Sequence, residues 1–213
     1  MYIAGEGTVY EHEDDIPIDV GELATAVDLD RDGEKEIVVT ILPNINSASL
    51  TEFAVIKKEG DSWKELDNVN DGRVAQGDYY SFPIVMVHDE GFKINLSCEG
   101  LDKVITFDVE ENYNNMTGQA ANQWSIEAEK NAKRYYEKEI LSSPAGTPVG
   151  YISAFGIWDV KLGEYEDYPC LVALQGVEGP HKFDLWGRVE IYYDYDKNGN
   201  MRVLDLKFTD SEM

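Results

Sequence analysis

Short β-branched and aromatic runs, each closed within a few residues by Gly, Asp or Asn, limit what this chain can fold into. Segments 23–28, 36–42, 51–57, 62–66, 82–88, 92–98, 103–109, 149–161, 169–175, 186–193 and 201–208 all read as strands. Runs this short with turns between them build meandering antiparallel sheets. No apolar run approaches the ~18 residues of a membrane-spanning helix.

Two hairpins allow the register to be read. Asn198-Gly199 is a strong signal for a two-residue type I′ turn. It sets Tyr193 opposite Leu204, Ile191 opposite Leu206 and Val189 opposite Phe208. A loop at Glu90-Gly91 likewise sets Val87 against Ile94 and Val85 against Leu96. A one-residue slip moves each of these side chains to the other face.

One helix is expected, over residues 122–141, where Trp124, Ala128, Ala132 and Tyr135 share a face with Tyr136 and Ile140 beside it. The stretch 142–150, with two prolines and two glycines, stops it. The organisation is a single domain, divisible into β halves 1–120 and 146–213 joined by that helix. A weak internal repeat supports the division. LATAVDLDRDGEKEIVVTIL and IWDVKLGEYEDYPCLVALQG each read strand, acidic turn, apolar strand, and recur about 135 residues apart. A degraded middle copy falls near 78–109.

The sharpest chemical signal lies inside the first copy, in DLDRDGEKEIVV at 28–39. Asp28, Asp30 and Asp32 stand at alternate positions, and Gly33 lets the backbone turn. A hard cation such as Ca²⁺ takes six to eight oxygens. The three Asp carboxylates, the Glu34 carbonyl, Glu36 and water supply such a set. Without a cation, carboxylates this close repel one another. An EF-hand is the wrong frame: Val39 stands where its bidentate Glu is needed, and strands rather than helices flank the loop.

The segment resembles the calcium loop of the FG-GAP/VCBS family of β-repeats, D-x-D-x-D-G-x-x-E followed by two apolar residues between two strands. The likeness is good over about residues 22–66 and loose in the second half. It implies propeller-blade-like antiparallel meander sheets, a structural Ca²⁺ held by the Asp28, Asp30 and Asp32 side chains and the Glu34 carbonyl, with Glu36 beside them, and the role of a bacterial surface protein or lipoprotein. A chain of 213 residues interrupted by a helix falls short of a closed standard propeller. The expected class is therefore mainly β with one helix.

Two further acidic loops invite the same question. Asp194-Tyr-Asp196-Lys-Asn198-Gly199, with Asp205 further on, fits the EF-hand expression, but a two-residue hairpin turn cannot wrap a cation. Residues 163–168 (GEYEDY) lack a central turn glycine.

The composition excludes several functions. With 18 Lys and Arg against 42 Asp and Glu, the net charge is −24. No cationic patch is available for a nucleic-acid backbone. A basic protein partner or a cation suits such a surface. His12, His88 and His181 are too far apart in sequence for a zinc spacing. No nucleophile elbow, phosphate loop or dinucleotide fingerprint occurs. The many carboxylates offer pairs for glycoside hydrolysis, but no spacing selects one. Cys98 and Cys170 sit in strand text and read as buried free thiols or one disulfide.

The expectation is a non-catalytic calcium-binding scaffold at a cell surface or envelope, its partner an unknown protein or glycan. Trp158, Trp186 and Tyr165 near second-half loops leave open a carbohydrate-binding or carbohydrate-active protein. The acidic excess, including 11–17 (EHEDDIP), leaves open a cytoplasmic inhibitor or immunity-type protein. No signal-peptide pattern opens the chain as given, which suits a cytoplasmic protein or a trimmed extracytoplasmic one.

Overall fold

A computed structural model describes residues 24–41, 52–66, 82, 84–115, 123–179 and 184–210. Among the described residues, eleven strands lie in three sheets. The first holds β1 (Ala24–Val27), β2 (Glu36–Ile41), β3 (Glu52–Glu59) and β4 (Ser62–Glu65) in chain order. The second holds β5 (Ile84–His88), β6 (Lys93–Cys98) and β7 (Val104–Asp108), again in order. The third runs β11-β10-β9-β8 from β8 (Tyr151–Tyr165), β9 (Tyr168–Glu178), β10 (Leu185–Tyr195) and β11 (Met201–Asp210). Within each sheet every strand therefore neighbours the next in sequence, as short connections favour. The first and third sheets share the four-strand meander that the internal repeat suggests. The expected mainly β class holds.

The helical region is α2 (Gln123–Tyr135), continued by a π-helical segment (Tyr136–Ile140). Among its described side chains Ala132, Tyr136 and Ile140 are buried, four apart in sequence. A second, six-residue helix, α1 (Glu110–Asn115), was not legible. Asp108 accepts the Glu110 N–H at 2.8 Å, and α1 opens on Glu110 and Glu111. No helix among the described residues is long and apolar enough to cross a membrane.

The chain forms two compact units, each woven from three stretches. One comprises the described residues of 1–80, 155–173 and 192–204; the other comprises those of 81–154, 174–191 and 205–213. In the first, Val39, Ala54 and Ile56 form a buried cluster with Ile37 and Trp63 packed on it. Val38 and Val55 are buried too, so both faces of β2 and β3 are covered. In the second unit, Phe107 stacks on Phe208 at 4.2 Å between ring centroids and lies 6.1 Å from Trp186.

Both expected registers are off by one residue, for one reason. In β5–β6, Met86 faces Leu96, His88 faces Ile94, Val87 faces Asn95 and Val85 faces Ser97. The Asp89 N–H bonds the Lys93 carbonyl, which leaves a three-residue loop with Gly91 at φ +58°. His88 Nε2 lies 3.1 Å from the Gly91 carbonyl and helps hold that loop. The buried face is then Met86 and His88, and Val85 is exposed. At the last hairpin, the Asp196 N–H bonds the Asn200 carbonyl and the Gly199 N–H bonds the Asp196 carbonyl, with Gly199 at φ +81°. That is a type I turn closed by a left-handed glycine, the three-residue hairpin rather than the two-residue one. Continued along the strands, it sets Tyr193 opposite Val203, not Leu204. The Asp196 carboxylate accepts the N–H groups of Asn198 and Asn200, at 2.8 and 2.9 Å, which favours this turn.

Cys98 and Cys170 are both buried and are not joined in a disulfide.

Candidate metal centre

The loop between β1 and β2 folds onto itself through its own carboxylates. Asp28 Oδ2 accepts the Gly33 N–H at 3.1 Å, and Asp30 Oδ1 accepts the Asp32 N–H at 3.1 Å. Asp32 Oδ1 accepts the Glu34 N–H at 2.8 Å, and Glu36 Oε2 accepts the Leu29 N–H at 2.7 Å. Two of these bonds run from one Asp to the amide two residues on, the local turn that Asp favours. Gly33, at φ +93°, takes a conformation that costs other residues energy.

This arrangement uses one oxygen of each of four carboxylates and leaves the other. Asp28 Oδ1 and Glu36 Oε1 are buried and have no hydrogen-bond partner. Asp30 Oδ2 and Asp32 Oδ2 both accept from the Lys57 ammonium on β3, the latter at 2.8 Å. Lys57 Nζ also lies 3.9 Å from Glu36 Oε1. Carboxylate oxygens of Asp28, Asp30 and Glu36 fall within 4.8 Å of one another. The Asp30 side chain is fully buried, and that of Glu36 is 1% exposed.

The electrostatics follow from burial and charge. Desolvation pushes the Glu36 carboxyl above its ordinary value, and the Asp30 charge adds to it against the Leu29 N–H bond. The Lys57 hydrogen bond, and then the Glu34 N–H, hold Asp32 below the usual carboxylate range. Burial pulls the Lys57 ammonium down, but its bonds to Asp30 and Asp32 outweigh that and hold it above ordinary lysine.

No family model, curated protein or solved structure matches this chain. The chemistry of the loop therefore rests on its geometry. Two orphaned buried carboxylate oxygens in a cluster of four carboxylates fit a hard cation, the ligand type that wants oxygen donors without protons. Of the residues singled out in sequence, Asp28, Asp30 and Glu36 come together. Asp32 joins them through Lys57 and remains more exposed. Glu34 has an exposed side chain and an N–H turned to Asp32.

Sequence reasoning missed two residues here. Lys57 lies in a strand-and-turn stretch (AVIKKEGD) whose register across β2 alone brings it to the loop: Ile37 faces Ile56. Arg31, at φ +60°, sits between two of the acids. Its guanidinium reaches Asp194 Oδ2 at 3.2 Å and lies 4.2 Å over the Tyr168 ring. Asp194 is fully buried and also takes two bonds from Arg202, at 2.5 and 2.8 Å.

That pairing, with the turn bonds of Asp196, leaves the 194–199 loop committed to its hairpin. The GEYEDY stretch ends in a tight turn at Glu166 and Asp167, at φ +51° and +66°. Their side chains are exposed. Trp186 is buried, and its Nε1–H donates to the Tyr136 hydroxyl at 2.5 Å. Tyr165 lies 6.4 Å from the Tyr192 ring. His88 is a buried strand residue. His12, His181 and the Trp158 side chain lie outside the described residues.

Proposed function

We propose that this chain is a non-catalytic calcium-binding protein of the FG-GAP/VCBS type, a binding or scaffold module at a cell surface or envelope. Its Ca²⁺ is structural: Asp28, Asp30, Asp32 and Glu36 hold it from one loop, with the Glu34 carbonyl beside them, and it ties β1 to β2. The observation that carries this reading is the division of labour in the loop. Each carboxylate spends one oxygen on shaping the backbone; carboxylate oxygens of Asp28, Asp30 and Glu36 lie within 4.8 Å of one another, and Asp28 Oδ1 and Glu36 Oε1 are buried without a hydrogen bond. Leaving such oxygens unpaired costs several kcal/mol by desolvation, which a divalent cation offsets.

The test is thermal unfolding of chelator-treated protein with and without millimolar calcium, beside Asp30→Ala. An upward shift that Asp30→Ala abolishes supports the reading; no shift in the unsubstituted protein defeats it. A second reading draws on Lys57, which already neutralises part of the cluster. In it the loop is a cation-free turn of an acidic inhibitor that meets a basic partner. Absence of any calcium effect favours this one.

A further inference from the structure

Lys57 stands where a cation would. Its ammonium contacts Asp30 Oδ2, lies 2.8 Å from Asp32 Oδ2 and 3.9 Å from Glu36 Oε1, and its side chain is only 12% exposed. The adjacent Lys58 is exposed and places its ammonium 5.7 Å from the Trp63 ring centroid. Lys57 satisfies Asp30 and Asp32 but leaves Asp28 Oδ1 and Glu36 Oε1 without a hydrogen bond, because one compact ammonium with three protons cannot serve four carboxylates. The cluster of four negative charges thus keeps a residual charge of −3 with Lys57 seated.

We infer that Lys57 is a tethered counter-ion that exchanges with the divalent cation: it fills the cage of Asp28, Asp30, Asp32 and Glu36 when calcium is absent and swings out when calcium enters. This rests on the calcium reading above. The lysine keeps the metal-free loop folded, and it sets the affinity, because calcium binds only the fraction of molecules from which the ammonium has left. It also sets selectivity. A monovalent ion brings no more charge than the tethered ammonium it must displace. A divalent ion brings twice as much and makes contacts the lysine cannot.

Two measurements on the full chain test the exchange. Calorimetric titration with CaCl₂ compares the unsubstituted protein with Lys57→Met, which keeps the aliphatic stem and removes the charge. Acylation of lysines, read by mass spectrometry, follows Lys57 in the unsubstituted protein with and without calcium, with the exposed Lys64 as reference. This second readout stands even if Lys57→Met folds poorly without metal. Expected are calcium binding tightened about tenfold or more by Lys57→Met, as for a lysine seated nine-tenths of the time, and Lys57 acylation that rises with calcium but not with potassium. Equal affinities with Lys57 acylation unchanged overturn the exchange and leave the calcium reading standing. Binding by Lys57→Met but not by the unsubstituted protein also overturns it, since the ammonium is then a permanent occupant. Binding by neither protein defeats the calcium reading itself, and the exchange with it.

Discussion

Glu36→Gln should change the sign of its effect on stability with calcium. Glu36 is completely buried, one of its oxygens is unpaired, and burial and the Asp30 charge hold its carboxyl above its ordinary value. In chelator, its negative charge is a net burden on the fold. The Gln side chain keeps an oxygen for the Leu29 N–H and turns an N–H₂ toward the unpaired oxygens of the cluster. Replacing an imperfectly compensated buried charge by a neutral isostere gains about 1–2 kcal/mol, roughly 2 to 8 °C for a domain of this size. In calcium the order reverses. At calcium about 100-fold above its dissociation constant, linkage stabilises the unsubstituted protein by about 2.7 kcal/mol. If losing one anionic ligand weakens binding about 100-fold, the same calcium gives Glu36→Gln only about 0.4 kcal/mol. Melting temperatures should therefore change order: the Glu36→Gln protein melts higher in chelator, the unsubstituted protein higher in calcium. Differential scanning calorimetry at pH 7 in both buffers reads this directly. A Glu36→Gln protein that is less stable in chelator would refute the claim that Glu36 is an incompletely compensated charge. One that keeps the full calcium shift would remove Glu36 from the ligand set.

Other expectations are independent of metal. Asp184 is buried, accepts the Tyr136 hydroxyl proton at 2.8 Å, and burial pushes its carboxyl up to about 6. Because the folded value lies above the unfolded one, its contribution is full below about pH 4 and is lost as pH rises through about 6, by at most roughly 3 kcal/mol at 1.36 kcal/mol per pH unit. Asp184→Asn should thus raise the urea midpoint at pH 7.5 and leave it unchanged at pH 3.5; a gain equal at both pH values contradicts this. Arg202→Met leaves buried Asp194 with Arg31 as its remaining guanidinium partner and should cost about 2–4 kcal/mol in urea unfolding; a loss under about 0.5 kcal/mol would mark the pair as unimportant. A Cβ at Gly187 meets Phe208 Cζ at 2.4 Å and the Thr209 carbonyl at 2.5 Å, so Gly187→Ala should cost about 1–3 kcal/mol or more in the same unfolding measurement. Asp196→Ala should weaken its hairpin but leave any calcium shift intact, which thermal melts with and without calcium check.

The sheets were legible because strand formation is local. Alternating β-branched and aromatic residues with turn residues at their ends located the eleven strands of the described residues, and consecutive pairing within each sheet followed from short connections. Register was not legible, because it turns on one loop residue. Asn198-Gly199 favours a two-residue turn in isolation, but Asp196 outcompetes it by capping two amides. The expected pairing rests on one wet and one dry face, yet Tyr193, Asp194 and Tyr195 are all buried. A strand buried on both sides has no alternation to read. In β5 the alternation exists, but its buried positions are Met86 and His88 rather than the valines that hydrophobicity favours.

The carboxylates of the loop were legible for the opposite reason: their spacing is the chemistry. Asp28, Asp30 and Asp32 lie within five residues, so turn geometry alone brings them near one another. Their electrostatic state was not legible, since it depends on a residue 25 positions beyond Asp32, placed by the pairing of β2 with β3. Spacing identifies which oxygens converge; only the fold identifies the positive charge already among them. On the proposed exchange, how tightly such a loop holds calcium depends on a lysine that carries no part of the sequence pattern. The same acidic pattern on a sheet without that lysine would bind the cation more tightly and be less stable without it.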